Sequence, residues 1–398
     1  MEVEKDKQIK KIALLVSCAA VLQIAESLIP HPVPGVRLGL ANMITLVALV
    51  TLGFRAAVEI AVLRTIISSF ILGTFLSPSF ILSFTGALIS TLIMGLFYKL
   101  STLNHKLYFS LIGISLLGAI THNLVQISLV YLLLIRHQGI FLLLPWLGIS
   151  AVIMGWITGL VASQVCQKLE NSCIGVSLKE NKTTGVSSFM PQHYIHLNSR
   201  IHLLSPALKI ISVFILALIV LFLDNFLSYT VVLFFLFCVA YLAKISFSHL
   251  FSGIRKLSSF LFFSFAIPVF FNRNGEILSN LGFLKITQGG LSMGSMFVFR
   301  LVLLMLSASL LIRTTSPDDL AAGLKRILSP LKLFGISGDR IGAIVTSSWL
   351  SIPVFWERTR SFIQNQKLNG KSMKKLIPAL SGLIVKLYQQ TDESTEEI

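Results

Sequence analysis

Residues 314–340, TTSPDDLAAGLKRILSPLKLFGISGDR, form a polar, basic, helix-forming stretch in a chain that is otherwise mostly apolar. Ser316 followed by Pro317 predicts a helix start, because Ser caps helix N-termini and Pro is favoured at the first helical position. The apolar side chains that follow recur on one helical face: Leu320, Leu324, Ile327, Leu328 and Leu331. We therefore predict an amphipathic helix over 317–331, too polar to cross a membrane, and a second long helix over 341–366.

The composition places the chain in a membrane. Of the 398 residues 54% are hydrophobic and only 13% are charged, about half the charged fraction of a typical soluble domain. Mean hydropathy is +0.82. The apolar runs are continuous and close to the length that spans a bilayer, which indicates transmembrane helices. The net charge of +16 fits the basic cytoplasmic face of a membrane protein better than nucleic-acid binding, for which no binding module is recognisable.

The apolar runs predict ten membrane-crossing helices. Six lie in the first half, at about 11–29, 39–53, 56–76, 79–99, 108–135 and 141–167, and four in the second, at about 207–223, 227–243, 257–271 and 290–312. With the N-terminus in the cytoplasm, only Arg37 and Arg136 of the first half lie in outer loops. We expect a multi-pass protein of the cytoplasmic membrane whose first helix is retained and not cleaved as a signal peptide, since no small-residue cleavage site follows it.

A change of composition divides the chain in two. Residues 170–199 are rich in Ser, Thr, Asn, Gly and Lys and cannot bury a core, so we predict a cytoplasmic linker. This separates a membrane domain over 1–169 from a second over 200–398. The acidic C-terminus, QQTDESTEEI, is predicted to be disordered.

Strongly polar groups inside membrane helices are costly and are candidates for function. In the first half these are Glu26, Arg37, Asn42, Arg64, His122, Asn123 and Gln126. Two interpretations stay open: a ligand pocket inside the bundle, or polar contacts that hold helices together. Arg64 could bind an anion or pair with Glu59 or Glu26. For Arg300, within an apolar span, we expect an internal structural role.

The sequence offers no enzymatic motif. It has no paired carboxylate cluster for magnesium-diphosphate chemistry, no P-loop and no HExxH spacing. The four cysteines, Cys18, Cys166, Cys173 and Cys238, form no CxxC and are predicted to be buried thiols. We expect a protein that is not an enzyme and that has no catalytic residue, metal site or cofactor.

Residues about 11–168 resemble the Gx transporter family, also labelled heptaprenyl diphosphate synthase component I. The resemblance rests on AESLIPHPVPGVRLGLANMITLVAL (25–49), LGFRAAVEIAVLRTIISSFILG (52–73), LSFTGALIS (82–90) and LIGISLLGAITHNLVQ (111–126). That family is similar to the substrate-binding S components of energy-coupling-factor (ECF) transporters. The resemblance therefore implies a six-helix bundle that binds a small molecule.

Residues about 200–390 resemble the transmembrane T component of the same transporters, a family that includes cobalt-transport permeases. The resemblance rests on RIHLLSPALKIISV (200–213), on residues 289–336 and on IPVFWERTRSFIQNQKLNG (352–370). It implies that cytoplasmic coupling helices bind ABC ATPase subunits, usually through two Ala-Arg-Gly-like motifs. Here Leu368-Asn369-Gly370 lacks the arginine and the second motif has no counterpart. Three alternatives stay open: coupling is weakened, it is carried instead by Arg358, Arg360, Lys367 and Lys371, or it is rewired.

The sequence thus predicts an all-α, polytopic membrane protein: an S-component-like bundle fused to a T-component-like domain. The expected partners are ABC ATPase subunits, a small-molecule substrate and the lipid membrane, but not nucleic acid. The substrate is expected to be an isoprenoid or quinone precursor, or else a flavin- or vitamin-like molecule. Two alternatives stay open, namely a non-catalytic accessory of a prenyl diphosphate synthase and a membrane scaffold that does not couple to ATPases.

Overall fold

The structure is a computed structural model. It describes residues 2–28, 39–103, 109–135, 137–171, 195, 199–246, 248, 250–251, 258–272, 274–281, 284–328, 338–365, 381–382 and 385. The predicted disordered C-terminus, Cys173 and most of the predicted linker lie outside these residues.

The first half of the chain forms six α-helices. They are α1 (Glu2–Leu28), α2 (Leu40–Thr51), α3 (Phe54–Leu72), α4 (Pro78–Leu103), α5 (Leu111–Leu129) and α6 (Leu144–Asn171). A π-helical segment, Val130–Ile135, continues α5, and a 3₁₀ segment, Gln138–Leu143, leads into α6. Gly73 ends α3 with a φ of +71°, a left-handed conformation that residues with a Cβ adopt only at a cost.

In the second half, the described residues include six longer helices and one short β-hairpin, besides helical residues at 248, 250–251, 381–382 and 385. The helices are α7 (Pro206–Phe222), α8 (Phe226–Leu242), α9 (Ser258–Phe271), α10 (Gln288–Thr314), α11 (Pro317–Leu328) and α12 (Gly338–Asn365). The hairpin pairs β1 (Ile277–Leu281) antiparallel with β2 (Leu284–Thr287). As predicted, Ser316 caps α11, since its Oγ accepts a hydrogen bond from the Asp319 backbone N–H at 3.1 Å.

Three apolar clusters form the core, and each contains residues from both halves of the chain. The first joins α1, α2, α3 and α6 to Ile344, Ile352 and Phe355 of α12. The second joins the end of α5 and the start of α6 to α7, α8, α9 and α10. The third joins α3 and α4 to α7, α10 and Leu320 of α11. The two halves are therefore packed against each other and not merely tethered.

Several helices are suited to crossing a membrane, and the all-α polytopic fold is confirmed. Among the described residues, five helical stretches are long and apolar enough: Gln8–Ser27, Pro78–Leu103, Leu111–Leu133, Gln138–Leu169 and Gln288–Thr314. The other apolar helices are shorter. The 12 residues of α2 span only about 18 Å, less than the hydrocarbon core. The hairpin is the one element within the described ranges that we did not predict.

Candidate functional site

A buried polar cluster joins the first three helices around Arg64. This side chain is only 3% exposed. Its Nη1 donates to Gln23 Oε1 of α1 at 3.0 Å, and its Nη2 donates to Asn42 Oδ1 of α2 at 2.5 Å. The structure thus brings together two of the predicted residues, Asn42 and Arg64, and adds Gln23, which we did not predict. Gln23 lies three residues before Glu26 on the same helix, and this spacing places both side chains on one face.

Glu26 fixes the start of α2. Its buried carboxylate accepts a hydrogen bond from the backbone N–H of Gly39 at 2.9 Å, where negative charge is favoured by the helix N-terminus. Gly39 has a φ of +72°, and a Cβ built there would lie 3.9 Å from Thr158 Cγ2 of α6. Glu26 therefore lies where α1, α2 and α6 converge. Arg37, predicted to belong to the same site, lies outside the described residues.

A second polar group holds α5 to its neighbours. Gln126 Nε2 and His122 Nε2 are 3.0 Å apart, and the imidazole packs so closely on Gly86 of α4 that a Cβ there would be 2.8 Å from the ring. Asn123 Nδ2 donates to the Leu147 carbonyl of α6 at 2.8 Å. These contacts connect α5 to α6 and pack it on α4, as polar groups between membrane helices do, and both interpretations stay open for His122, Asn123 and Gln126. The described residues include no group of three His, Cys, Asp or Glu side chains placed to hold a metal ion.

The longest contact between the halves runs along α1 and α12. Ser17 Oγ donates to the Ser348 carbonyl at 3.0 Å, and Ser348 Oγ donates to the Ala13 carbonyl at 2.9 Å. Small residues let two helix backbones approach this closely. At one side, Arg340 of α12 forms an ion pair with Glu59 of α3 at 3.1 Å, so Glu59 has a partner in the second half of the chain. We call the packing of α1 on α12 the helix contact.

A network of hydrogen bonds connects α7 to the end of α10. Lys209 Nζ donates to the Thr314 carbonyl at 2.8 Å and to the His202 carbonyl at 3.0 Å. His202 Nε2 lies 3.1 Å from the Ile195 carbonyl, and its Nδ1 lies 2.7 Å from Ser199 Oγ. Burial lowers the pKa of His202, and the charge of Lys209 acts in the same direction. The imidazole is therefore neutral at neutral pH, which fixes a donor at Nε2 and an acceptor at Nδ1.

Two protein families match the chain, one on each side of the polar segment at about 170–199 that separates its two halves. Residues 198–397, half of the chain, match the family described as cobalt transport protein. The chain belongs to this family. Residues 15–165 match the family described as heptaprenyl diphosphate synthase component I. The sequence-based identification of a fusion of these two families is thereby confirmed.

Curated relatives cover the second half of the chain. The energy-coupling factor transporter transmembrane protein EcfT of Streptococcus thermophilus is 29% identical over 208 residues, which cover 50% of this chain and 79% of that protein. The EcfT proteins of Listeria innocua and Bacillus subtilis are 28% and 27% identical over 209 residues, with the same coverage. This member of the cobalt transport protein family is therefore a multi-pass transporter membrane component and not an enzyme.

The family-matched half contains the residues predicted to couple to ATPases, and two of them, Arg358 and Arg360, lie near the end of α12. The backbone of Arg358 and the exposed side chain of Arg360 are in its last turns. Lys367, Leu368, Asn369 and Gly370 lie outside the described residues. In α11, Leu320 is buried in the apolar cluster that also contains Ile210 of α7, while Lys325 and Arg326 face outward, the amphipathic arrangement that the sequence predicted.

Proposed function

We propose that this protein is an ECF transporter membrane subunit in which residues 1–169 capture a small molecule. Residues 200–398 would couple its movement to ATP hydrolysis on separate ABC ATPase subunits. The family match of each half supports this division. We further propose that the protein lies in the cytoplasmic membrane with its N-terminus inside, because that orientation places most basic residues on the cytoplasmic side.

The observation that carries the proposal is the helix contact. α12 belongs to the family-matched coupling half, and it packs lengthwise on α1 of the half proposed to capture substrate. The hydrogen bonds from Ser17 to the Ser348 carbonyl and from Ser348 to the Ala13 carbonyl, with the Arg340–Glu59 ion pair, fix the register of the two helices. A movement imposed on α12 by a bound ATPase would therefore reach α1 without an intermediate element.

For the substrate we propose an isoprenoid or quinone precursor, with a flavin- or vitamin-like molecule as the alternative. Arg64, held by two amide side chains among apolar helices, would suit an amphiphile with an anionic head. Together with it we propose as substrate-binding residues Glu26, Arg37, Asn42, His122, Asn123 and Gln126. Mass spectrometry of the ligand that co-purifies with the protein in detergent identifies the class.

Co-purification with ATPase subunits tests the proposed function. The tagged chain, expressed with the ABC ATPases of its own cell, should retain them and hydrolyse ATP. Replacing Arg358, Arg360 and Lys367 together with Ala should release the ATPases, because acidic partners lose their cationic contacts. If no ATPase co-purifies and ATPase-null cells still transport the ligand, the proposal is wrong. Retention of a prenyl synthase instead would favour an accessory subunit, the function named by the family of residues 15–165.

A further inference from the structure

The halves also meet at a second place, away from the helix contact. The segments Val130–Ile135 and Gln138–Leu143 of the first half pack on α9 and α10 of the second. Two residues of the second half define this contact: Arg300 of α10 and Ile267 of α9. We call these two segments with Ile267 and Arg300 the clasp.

Arg300 supplies the polar part of the clasp. It is 2% exposed, and its Nη1 donates to the Leu133 carbonyl at 3.3 Å. Leu133 lies in the last turn of the π-helical segment, where backbone carbonyls lack a partner further along the helix. The guanidinium therefore caps the end of a helix that belongs to the other half of the chain.

The remaining bonds of Arg300 stay within its own half. Nη2 donates to the Leu223 carbonyl at 2.9 Å, to Tyr229 Oη at 3.1 Å and to Asp224 at 3.3 Å. Tyr229 itself donates to the Leu223 carbonyl. Opening the clasp thus removes only the Nη1 bond, while the guanidinium stays held at the turn between α7 and α8.

The apolar part of the clasp depends on the absence of a side chain at Gly139. A Cβ at this position would lie 3.1 Å from Ile267 Cγ2 and 2.9 Å from His137 Nδ1. Gly lets the 3₁₀ segment approach α9 closely, since a small side chain at this position would require a shift of a few tenths of an ångström and a large one would require more. Its neighbour Ile140 is 4% exposed and belongs to the apolar cluster that spans both halves.

The two contacts between the halves differ in how they are held. The helix contact combines two serine-to-carbonyl hydrogen bonds, one donated from each helix, with many buried side chains along α1 and α12. The clasp combines one hydrogen bond with the apolar contact of the 3₁₀ segment on Ile267. It also contains a π-helical segment, a type of helix that often marks functional sites. Regions with few buried contacts open at lower free energy than the core.

We propose that the clasp is a reversible contact: the two segments leave α9 and α10 and return, while α1 remains seated on α12. The clasp then sets whether these two segments are held on α9 and α10, while the helix contact and the packing of α3 and α4 on the second half persist. This inference rests on the proposed function in one respect only: we propose that the clasp opens during each cycle of ATP hydrolysis by the bound ATPase subunits.

Maleimide labelling of Ile140→Cys tests reversible opening in the protein alone, with the native Cys18 of α1 as internal reference and with Cys166, Cys173 and the exposed Cys238 replaced by Ser. Cys18 is buried beside the helix contact. The labelling rate of each cysteine in liposomes is divided by its rate in the SDS-unfolded protein. We expect the normalised rate of Ile140→Cys to be about tenfold higher than that of Cys18, because the clasp opens locally at a lower free energy than the whole protein unfolds. Equal rates would mean that both contacts open together and would overturn the proposal.

A matched pair of glycine variants separates the clasp from general loosening. Gly139→Leu inserts a side chain at the contact with Ile267, whereas Gly148→Leu inserts the same side chain where nothing lies within 4 Å. Gly139→Leu should raise the labelling rate of Ile140→Cys about tenfold and leave the labelling rate of Cys18 unchanged, because the added side chain disturbs the packing of the clasp alone. Gly148→Leu should change neither rate. Equal effects of the two substitutions contradict the clasp.

A cross-link tests the use of the open state by the assembled transporter. In the pair Gly139→Cys and Ile267→Cys, the new Cβ at position 139 would lie 3.1 Å from the place of the present Ile267 Cγ2, close enough for the two side chains to form a disulfide. The pair Ser115→Cys and Thr158→Cys, whose native oxygens are 2.9 Å apart, is the control within the first half. Oxidation of the clasp pair should lower ATP hydrolysis by the chain with its ATPases about tenfold, reversibly on reduction, while the control pair lowers it less than about twofold. If the disulfide-bridged protein hydrolyses ATP at an undiminished rate, the proposal that the clasp must open is wrong. If no ATPase binds the chain, the proposed function is contradicted, and the maleimide labelling alone decides whether the clasp opens.

Discussion

At the scale of single residues, buried guanidinium groups organise both halves of this protein. Arg64 donates to the amide oxygens of Gln23 and Asn42, and Arg300 donates to two backbone carbonyls, a hydroxyl and Asp224. Hydrogen bonds from a charged donor are stronger than neutral ones, especially away from water. The planar fork of arginine also lets one side chain bind partners on two different elements.

Arg64→Lys should therefore destabilise the protein although it keeps the charge. One ammonium cannot reproduce the fork that bridges α1 and α2, and we expect a loss of about 1–3 kcal/mol. Arg55→Lys, at an exposed position of the same helix, is the control and should leave stability unchanged. Thermal unfolding in detergent measures both; equal melting temperatures would show that the bridge contributes nothing.

Stability should fall when the pH drops below about 6.5, the ordinary pKa of histidine. Burial lowers the pKa of His202 in the folded protein, so the unfolded chain takes up a proton in this range before the folded chain does. Proton uptake by the unfolded state alone favours unfolding, and the loss levels off below the folded-state pKa. His202→Gln should flatten this dependence between pH 7 and 5, as measured by melting temperature. Burial also lowers the pKa of His137, so part of the dependence should remain; an unchanged profile in His202→Gln contradicts the assignment.

At the scale of elements, α4, α5 and α6 pack through small residues. A Cβ at Gly159 of α6 would lie 2.8 Å from the Ile112 Cα of α5, and one at Gly155 would lie 3.0 Å from the Leu116 Cα. These neighbours are backbone atoms, which cannot rotate away. Such close approach replaces the large apolar side chains that dominate soluble cores.

Gly159→Leu should thus separate α5 from α6. Because the backbone of α5 must move, we expect a loss of about 3 kcal/mol or more, beyond the usual cost of overpacking. Gly148→Leu lies on the same helix in open space and should be neutral. Melting temperatures in detergent compare the two variants, and similar values would contradict the observed helix packing.

The helices were predictable because apolar periodicity and helix-start signals act locally. The predicted helix at 79–99 corresponds to Pro78–Leu103 and that at 341–366 to Gly338–Asn365. The hairpin was missed because strands of five and four residues are too short for a period-two pattern to emerge. For the polar residues, sequence identified Asn42 and Arg64 but not their partner Gln23, since partners on another helix are set by packing and not by spacing.

At the scale of the whole molecule, the two halves share every apolar cluster. Neither the helix contact nor the clasp was predicted, because serines such as Ser17 and Ser348 are unremarkable in sequence and acquire a role only when two helices meet. The sequence indicated a linker between separate domains, whereas the structure shows extensive packing between the halves. The chain therefore behaves as one unit, held by the helix contact, the clasp and the packing of α3 and α4 on α7 and α10.

Cutting the chain within the predicted linker should not separate the halves. With a specific protease site inserted at about residue 185, a tag on the first half should retain the second half after cleavage, since the shared clusters bury apolar surface. Ser348→Leu should reduce this retention because it wedges α12 from α1. Thr346→Leu, on the exposed side of α12, should not. Separation of the unmodified halves on cleavage contradicts the shared core.

The most direct test of the central claim, that α12 transmits ATPase work to α1, is ATP hydrolysis by the complex of this chain with its ATPase subunits in liposomes. In Ser348→Leu we expect the ATPases to remain bound, because the substitution alters only the face of α12 that packs on α1. The part of ATP hydrolysis that is stimulated by the ligand co-purified with the protein should fall about tenfold. Thr346→Leu should hydrolyse ATP at the unmodified rate. Ligand-dependent hydrolysis that is equal in both variants, or a chain that binds no ATPase, would contradict the account.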